Sequence, residues 1–221
     1  MPMPPLDSTA GATLRDVIYS NAHIKADKET VQLVGTLSPH QVKLKKAIGA
    51  RNDADTAAIE ASAVTDAAWT GVRAALQAFG TKAFGHFVKR TEPGYLRIFA
   101  LSPTDLLGLT EDKRKEALDK VLKAGHAKET PKELAAPVAA FAVALQAWQD
   151  VQTAEAAAVE GYQDKVGALK VAVDEALTAV RKLKGQLQTL FPRDARRVQS
   201  FFPRRTAGAK KAKAEPEPAP M

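Results

Sequence analysis

The four histidines are the first residues to consider for metal or acid–base chemistry, because the sequence contains no cysteine. Di-iron and di-manganese centres in helical bundles use Glu-x-x-His pairs, in which both side chains face inward from one helix. The residue three positions before each histidine is never a carboxylate: Ser20 precedes His23, Leu37 precedes His40, Ala83 precedes His86 and Lys123 precedes His126. The sequence therefore predicts no metal centre. We expect His86, close to Phe84 and Phe87 on an apolar helix face, to be a half-buried structural residue.

Two glycines, Gly80 and Gly85, have the separation found in phosphate-binding loops. Such a loop continues with Lys and then Ser or Thr, which contact the phosphate and the magnesium ion, but here His86 and Phe87 follow. The glycines also stand within a helical pattern and do not follow a strand. We expect them to permit close helix packing or to mark a kink.

Paired carboxylates are the remaining candidates for catalysis. Asp53 with Asp55, and Glu111 with Asp112, occur in segments typical of solvated faces or helix starts, where the helix dipole alone favours acidic residues. No Gly-x-Ser-x-Gly sequence is present. The sequence therefore predicts a protein that is not an enzyme and that has no catalytic residue, metal or cofactor.

Positive charge is concentrated near the C-terminal end. The formal net charge is +7 at pH 7, and residues 193–213 alone contain eight basic residues and one acidic residue. Once Glu215 and Glu217 are counted, residues 1–192 retain only +2. The basic residues are candidate anion- or partner-binding groups: Arg193, Arg196, Arg197, Arg204, Arg205, Lys210, Lys211 and Lys213.

Several ligands are compatible with this basic end. Phe201 and Phe202 lie between arginines, as stacking on nucleic-acid bases would require. The Ala-Lys-Pro composition also resembles that of the tails of linker histones and of some bacterial nucleoid proteins. Docking to an acidic protein and a simply solvated tail are the alternatives. We expect residues 204–221, rich in Ala, Lys, Glu and Pro, to be disordered.

The composition predicts an all-α fold. Alanine, the best helix former, accounts for 42 of 221 residues. From Val138 onwards, alternate steps of three and four residues reach fourteen apolar or aromatic residues in sixteen positions, which predicts a long helix packed lengthwise against another. The series is Val138, Phe141, Leu145, Trp148, Gln152, Glu155, Val159, Tyr162, Val166, Leu169, Val173, Ala176, Val180, Leu183, Leu187 and Leu190. We expect an interruption near Gln152, Glu155 and Gly161, and a kink or delayed start at Pro137.

A second long helix is predicted over residues 38–90, where the corresponding series is apolar mainly at its two ends. The series is Leu37, Gln41, Leu44, Ile48, Arg51, Asp55, Ala58, Ser62, Thr65, Trp69, Val72, Leu76, Phe79, Ala83 and His86. Residues 50–55 could form a loop in which Asp53 or Asp55 starts a new helix. We favour one helix that is interrupted or frayed there.

Shorter elements surround the two long helices. Residues 12–36 are expected to be largely helical, although residues 31–34 are ambiguous with a strand. Residues 95–129 form a connector, and its segment 111–123 faces inward through Ala117, Leu118, Val121 and Leu122. After Pro192, a short turn with Val198, Phe201 and Phe202 is expected to fold back onto the bundle.

Helix boundaries are predicted from capping patterns. Starts are expected at Ser38-Pro39-His40-Gln41, Ser102-Pro103-Thr104-Asp105 and Thr130-Pro131-Lys132-Glu133. Ends are expected at Glu92-Pro93-Gly94, at Gly125 and at Phe191-Pro192.

We therefore expect an elongated antiparallel helical bundle. It comprises an N-terminal segment (1–37), a long-helix body (38–192), a basic-aromatic segment (193–203) and a disordered basic tail (204–221). The candidate helix–helix interface is Trp69, Val72, Leu76, Phe79, Trp148, Val159, Tyr162, Val166, Leu169, Val173, Val180, Leu183 and Leu187.

The expected function is that of a non-enzymatic structural or protein-interaction protein. It would act in the cytoplasm, assemble with a protein partner or as a homo-oligomer, and dock its basic tail to a partner. Nucleic-acid binding through residues 193–213 is the alternative. A membrane is not the expected partner, because no run approaches the roughly 18 to 20 apolar residues that cross a bilayer.

Overall fold

A computed structural model describes residues 6–203. Within these residues the chain is about 85% helical and contains no strand, and the two long helices pack together, which confirms the all-α prediction. The seven α-helices of this part are α1 (Leu6–Ala26), α2 (Val34–Phe87), α3 (Pro93–Ile98), α4 (Pro103–Leu107), α5 (Glu111–Gly125), α6 (Ala135–Leu190) and α7 (Ala195–Ser200). Short 3-10 turns at Val31–Leu33 and Lys132–Leu134 lead into α2 and α6, so the predicted ambiguity with a strand at 31–34 is resolved as helix. The predicted disordered tail, 204–221, lies outside the described residues.

The described chain forms two compact units. Unit 1 comprises residues 6–52 and 165–203, and unit 2 comprises residues 53–164. Helices α2 and α6 each contribute a segment to both units. The units therefore share their two longest helices, while each has its own set of short helices.

Unit 1 packs α1 and α7 against the paired segments of α2 and α6. In this unit, Thr36 of α2 donates to Gln186 of α6 at 3.2 Å, and Lys43 forms an ion pair with Glu175 at 2.6 Å. The partner number falls along α6 as the number rises along α2, so the two segments run in opposite directions. The core consists of residues that are less than one-tenth exposed: Ala10, Val17, Ile24, Leu37, Leu44, Leu169, Ala172, Val173, Ala176, Ala179, Leu183, Leu187, Val198 and Phe201.

Unit 2 has a separate core, centred on Phe79 of α2. The Phe79 ring lies 5.0 Å from the ring of Phe99 and 6.3 Å from that of Phe141. Gly125 ends α5 against the side chain of Val138, where an added Cβ would lie 2.9 Å from a methyl group. The buried set is Val72, Leu76, Phe79, Ala83, Tyr95, Ile98, Phe99, Leu106, Leu118, Val121, Leu134, Val138, Phe141, Leu145 and Trp148.

One of the three predicted helix starts is confirmed. Ser102 accepts a hydrogen bond from the backbone N–H of Asp105 at 3.2 Å and donates its own proton to the Asp105 carboxylate at 2.6 Å. The start at Ser38 is wrong, because α2 begins at Val34 and Ser38 instead accepts a hydrogen bond from the side chain of Asn21.

The start predicted at Thr130 is also wrong. The Thr130 hydroxyl donates to the carbonyl of Ala124 at 2.9 Å, and so satisfies the C-terminus of α5. Helix α6 begins at Ala135, and Pro137 lies in its first turn, where a missing N–H leaves no intrahelical bond unmade. The Thr130 hydroxyl therefore caps the end of the preceding helix and not the start of the next one.

Both long helices are continuous over the described chain, since α2 has 54 residues and α6 has 56. The prediction of one helix through residues 50–55 is confirmed, but the interruption or fraying expected there is wrong, and so is the interruption predicted near Gln152, Glu155 and Gly161. Four alanines at positions 154 and 156–158 provide high helix propensity at that point, which offsets the cost of Gly161.

Two of the predicted helix ends are confirmed, at Gly125 and at Leu190 before Phe191-Pro192. The end predicted at Glu92-Pro93-Gly94 is wrong, because Pro93 is instead the first residue of α3. Helix α2 has already ended at Phe87, and it ends on Val88, whose φ of 61° lies in the left-handed region. A β-branched residue is strained in that conformation, which glycine adopts without a steric cost.

We expect Val88→Gly to stabilise the protein. The substitution removes the strain of a valine in the left-handed conformation. This gain exceeds, by about 1 kcal/mol, the extra backbone entropy that a glycine loses on folding. The matched control is Val42→Gly, at an equally exposed position inside α2 (67% against 68%). There, glycine lowers helix propensity, and the free energy of unfolding should fall by roughly 0.5 kcal/mol. Urea denaturation measures both effects, and a loss of stability in Val88→Gly would contradict the assignment of strain.

Candidate partner-binding surfaces

The histidines and glycines do not form a reactive site in the described part of the chain. No group of three or more histidine and acidic side chains there could hold a metal ion. His86 is exposed, so the expectation that it is half-buried is wrong; its ring packs edge-on against Phe87 with centroids 4.9 Å apart. Gly80 does permit close packing, since an added Cβ would overlap the ring of Pro103, whereas Gly85 faces open space.

The residues predicted to form the helix–helix interface differ in burial along the helices. The buried ones are Val72, Leu76, Phe79, Trp148, Leu169, Val173, Leu183 and Leu187. The half-buried ones are Trp69, Tyr162, Val166 and Val180, and Val159 is exposed. Most of these residues are therefore buried or half-buried against one of the two cores, and the exposed Val159 lies in the middle of α6.

The two tryptophans lie together in unit 2. The rings of Trp69 and Trp148 are 5.0 Å apart and tilted by 44°, and the Arg114 guanidinium covers the Trp69 ring at 4.7 Å. The same guanidinium donates to the Leu109 carbonyl at 2.6 Å. An aromatic pair of this kind contributes about 0.5 to 1.5 kcal/mol beyond its buried area. Both tryptophans thus stabilise unit 2.

Beyond this pair, the two long helices contain a stretch of unit 2 without any buried residue. It consists of residues 53–67 of α2 and residues 149–164 of α6, which we call the acidic segments. The Thr65 hydroxyl lies 3.5 Å from the carbonyl of Val151, so the two segments run side by side. Ile59, Val64 and Val159 are 65%, 52% and 39% exposed, respectively.

The charge of the acidic segments is entirely negative. Each segment contains four acidic residues and no lysine, arginine or histidine: Asp53, Asp55, Glu60 and Asp66 in α2, and Asp150, Glu155, Glu160 and Asp164 in α6. An open depression of about 520 Å³ lies along α6, lined by residues that include Glu155, Val159 and Glu160. The segments therefore combine exposed aliphatic side chains with a charge suited to a basic partner.

The basic end is only partly available for binding. Arg193 and Arg196 are exposed. Arg197 instead forms ion pairs with Asp27 at 2.9 Å and Glu29 at 3.0 Å, and its guanidinium lies over the ring of Phe191. The other five basic candidates, Arg204, Arg205, Lys210, Lys211 and Lys213, lie outside the described residues.

Helix α7 folds back as predicted, and this changes the role of its aromatic residues. Val198 and Phe201 are buried in the core of unit 1, and Phe202 packs against that core half-buried. Phe201 stacks on Phe191 with ring centroids 6.4 Å apart. Phe201 is therefore not available to stack on bases, contrary to the nucleic-acid interpretation of its position.

The acidic segments are not among the sequence-predicted sites. Their 31 residues contain eight acidic and no basic side chains, a signal that the sequence itself carries. Over residues 1–192 as a whole, basic residues outside the two segments balance this charge, so that the net charge there is only +2. The open surface is apparent only in the structure, where none of the 31 residues is buried.

No match to this chain was found among protein-family models, curated proteins or solved structures.

Within the described residues, Lys132–Leu190 includes a stretch of mean hydropathy 1.3 that could cross a membrane by length and composition. The expectation that no stretch would do so is wrong by this measure. About 28% of that stretch is buried, and its large side chains Val138, Phe141 and Leu145 belong to the core of unit 2.

We expect the ion pair of Arg197 to make the docking of α7 depend on pH. The hydrogen bond from Arg197, followed by that from the backbone N–H of Glu29, lowers the pKa of Asp27 below its ordinary value of about 3.9. A lowered folded-state pKa stabilises the protein above the ordinary value, and the contribution is lost as pH falls through the folded-state pKa. The free energy of unfolding lost in Arg197→Gln should therefore be larger at pH 6 than at pH 3.

The difference in free energy of unfolding between wild type and Arg197→Gln should persist in part at pH 3, because the guanidinium also covers the ring of Phe191. Arg196→Gln, at an exposed position of the same helix, is the control and should have no effect at either pH. A loss of stability in Arg197→Gln that is equal at pH 3 and pH 6 would contradict the role of Asp27.

Proposed function

We propose that the protein is a non-enzymatic assembly protein. In this proposal, α2 and α6 form a heptad-type helical scaffold, and the basic end of one copy binds the acidic segments of another. The observation that carries the proposal is that the paired helices have a core in each unit and none along the acidic segments. A helix pair with an unburied stretch of this length can bury it only against another element.

The charge of the acidic segments supports a basic partner and argues against symmetric pairing of two such surfaces. Eight carboxylates facing eight others would repel one another, since like charges across an interface cost several kcal/mol. The basic end provides the complementary charge within the same sequence: five lysine and arginine residues between positions 204 and 213 add to the exposed Arg193 and Arg196.

A contact of this kind is asymmetric, because a different surface of each copy takes part. A bound pair of copies still offers one free basic end and one free pair of acidic segments, so the contact can repeat from copy to copy. The exposed Ile59, Val64 and Val159 provide apolar area for a bound segment, including the long alkyl stems of its lysine side chains. Nucleic-acid binding by residues 193–213 has less support, because Phe201 is buried and Arg197 is paired within the chain.

Sedimentation velocity of the full chain tests this proposal. We expect the average mass to rise with protein concentration in 50 mM salt and to fall in 500 mM salt, because salt screens exposed charges. Glu60→Gln with Glu160→Gln should weaken association roughly fivefold, at about 0.5 kcal/mol for each exposed charge pair. The matched control, Glu133→Gln with Asp174→Asn, makes the same charge change at exposed positions outside the acidic segments and should have no effect.

Reversal of the charge of the basic end completes the test. Lys210→Glu, Lys211→Glu and Lys213→Glu together should abolish the association, and the same protein mixed with wild type should still accept the wild-type basic end on its acidic segments. A full chain that stays monomeric at every concentration in low salt would refute the proposal. An equal loss of association in the control variant, Glu133→Gln with Asp174→Asn, would also refute it.

A further inference from the structure

A second exposed surface lies at the turn between α2 and α3 in unit 2. Phe84, Val88 and Leu96 are 42%, 68% and 48% exposed, and we call these three residues the α2–α3 patch. Four of the fourteen exposed large hydrophobic side chains of the described chain fall within residues 84–101, which is a higher density than in the rest of it. Large exposed apolar residues that cluster in this way mark interaction sites.

The structure beneath the patch holds it in place. Phe87 packs against Tyr95 with ring centroids 6.5 Å apart, and Gly94 lies so close to the Phe87 ring that an added Cβ would overlap it. The N–H of Val88 donates to the carbonyl of Phe84 at 2.8 Å. These contacts fix the end of α2 against α3, so the exposed side chains belong to an ordered turn.

The patch is bordered by positive charge. Lys89 and Arg90 are exposed and form no ion pair with any residue that the structure describes. The Arg90 guanidinium lies over the exposed Phe84 ring at 5.5 Å. Between residues 81 and 104 the sequence contains four lysine and arginine residues and a single carboxylate, Glu92.

Val88 belongs to this exposed surface and is strained in the folded protein. Its backbone adopts a left-handed conformation with φ 61°, and its side chain is more exposed than those of Phe84 and Leu96. Glycine would relieve that strain at the end of α2. A strained residue with no buried contact of its own is a reason to look for a function of its side chain outside the folded monomer.

We propose that the α2–α3 patch binds the surface of an anionic lipid bilayer. In this arrangement Phe84, Val88 and Leu96 enter the interfacial region, while Lys89 and Arg90 contact lipid phosphates and carboxylates. Apolar and aromatic side chains bordered by lysine and arginine are the combination that peripheral membrane proteins use. This interaction is separate from the acidic segments, and it does not require self-association.

The proposal can be tested by co-sedimentation of the full chain with vesicles of phosphatidylcholine alone and of phosphatidylcholine with 30% phosphatidylserine, in 100 mM salt. We expect binding to the anionic vesicles and at least tenfold weaker binding to the neutral ones. Phe84→Ser with Leu96→Ser should reduce the partition coefficient at least fivefold. Lys89→Gln with Arg90→Gln should reduce it roughly thirtyfold, since each cation near an anionic membrane contributes about 1 kcal/mol.

Val88→Gly separates binding from folding. It should lower the partition coefficient several-fold while raising the urea midpoint, so that loss of binding cannot result from unfolding. Val143→Ser is the matched control, because Val143 is 72% exposed on α6 outside the patch, and it should bind like wild type. Unchanged binding by the patch variants, together with loss of binding when Lys210, Lys211 and Lys213 are changed to Glu, would assign the membrane affinity to the basic end and overturn the proposal.

Binding to an acidic peptide but not to vesicles would also overturn it. A poly-glutamate peptide is the probe for that outcome, measured by fluorescence anisotropy with wild type and with Phe84→Ser and Leu96→Ser. The self-association variants Glu60→Gln and Glu160→Gln should bind vesicles like wild type, so failure of the assembly proposal and failure of this one can be told apart.

Discussion

The structure depends on the pairing of α2 with α6. In unit 1 the pair is completed by α1 and α7, and in unit 2 by α3, α4 and α5, so that each unit closes its own core around the same two helices. Large side chains occur on α2 and α6 where such a third layer is present, as at Phe79, Phe141 and Leu183. Along the acidic segments no residue is buried, and the side chains are mainly alanines, carboxylates, uncharged polar groups and a few exposed aliphatics.

Alanine allows these helices to continue where burial stops. A helix without a buried face must rely on intrinsic propensity, and alanine has the best. Ten of the 31 residues of the acidic segments are alanine. None of their eight carboxylates is buried, because taking a carboxylate out of water is costly. The same residues that keep the segments helical therefore leave them open to a partner.

Much of the fold could be predicted from the sequence, because two local signals are strong. The spacing of apolar residues from Val138 to Leu190 identified α6, and Ser102 at the start of α4 satisfied its capping pattern within one turn. Two capping patterns failed because another partner took the hydroxyl group. Ser38 accepts from Asn21 of the preceding helix α1, and Thr130 donates to Ala124 and so closes the end of α5 instead of starting α6. The surfaces were less predictable, since Arg197 looked free until its pairing with Asp27 was known, and His86 lay on the predicted inner face yet is exposed.

The central claim is that α2 and α6 are single helices whose middle stretch is helical but unsupported by a core. Backbone amide hydrogen exchange in 500 mM salt, read residue by residue by NMR, measures this directly. The account predicts helical carbon chemical shifts throughout both helices. It also predicts that residues 53–67 and 149–164 exchange through local opening well before residues 72–83 and 138–148 of the same helices. Equal protection along each helix, or non-helical shifts in the acidic segments, would contradict it.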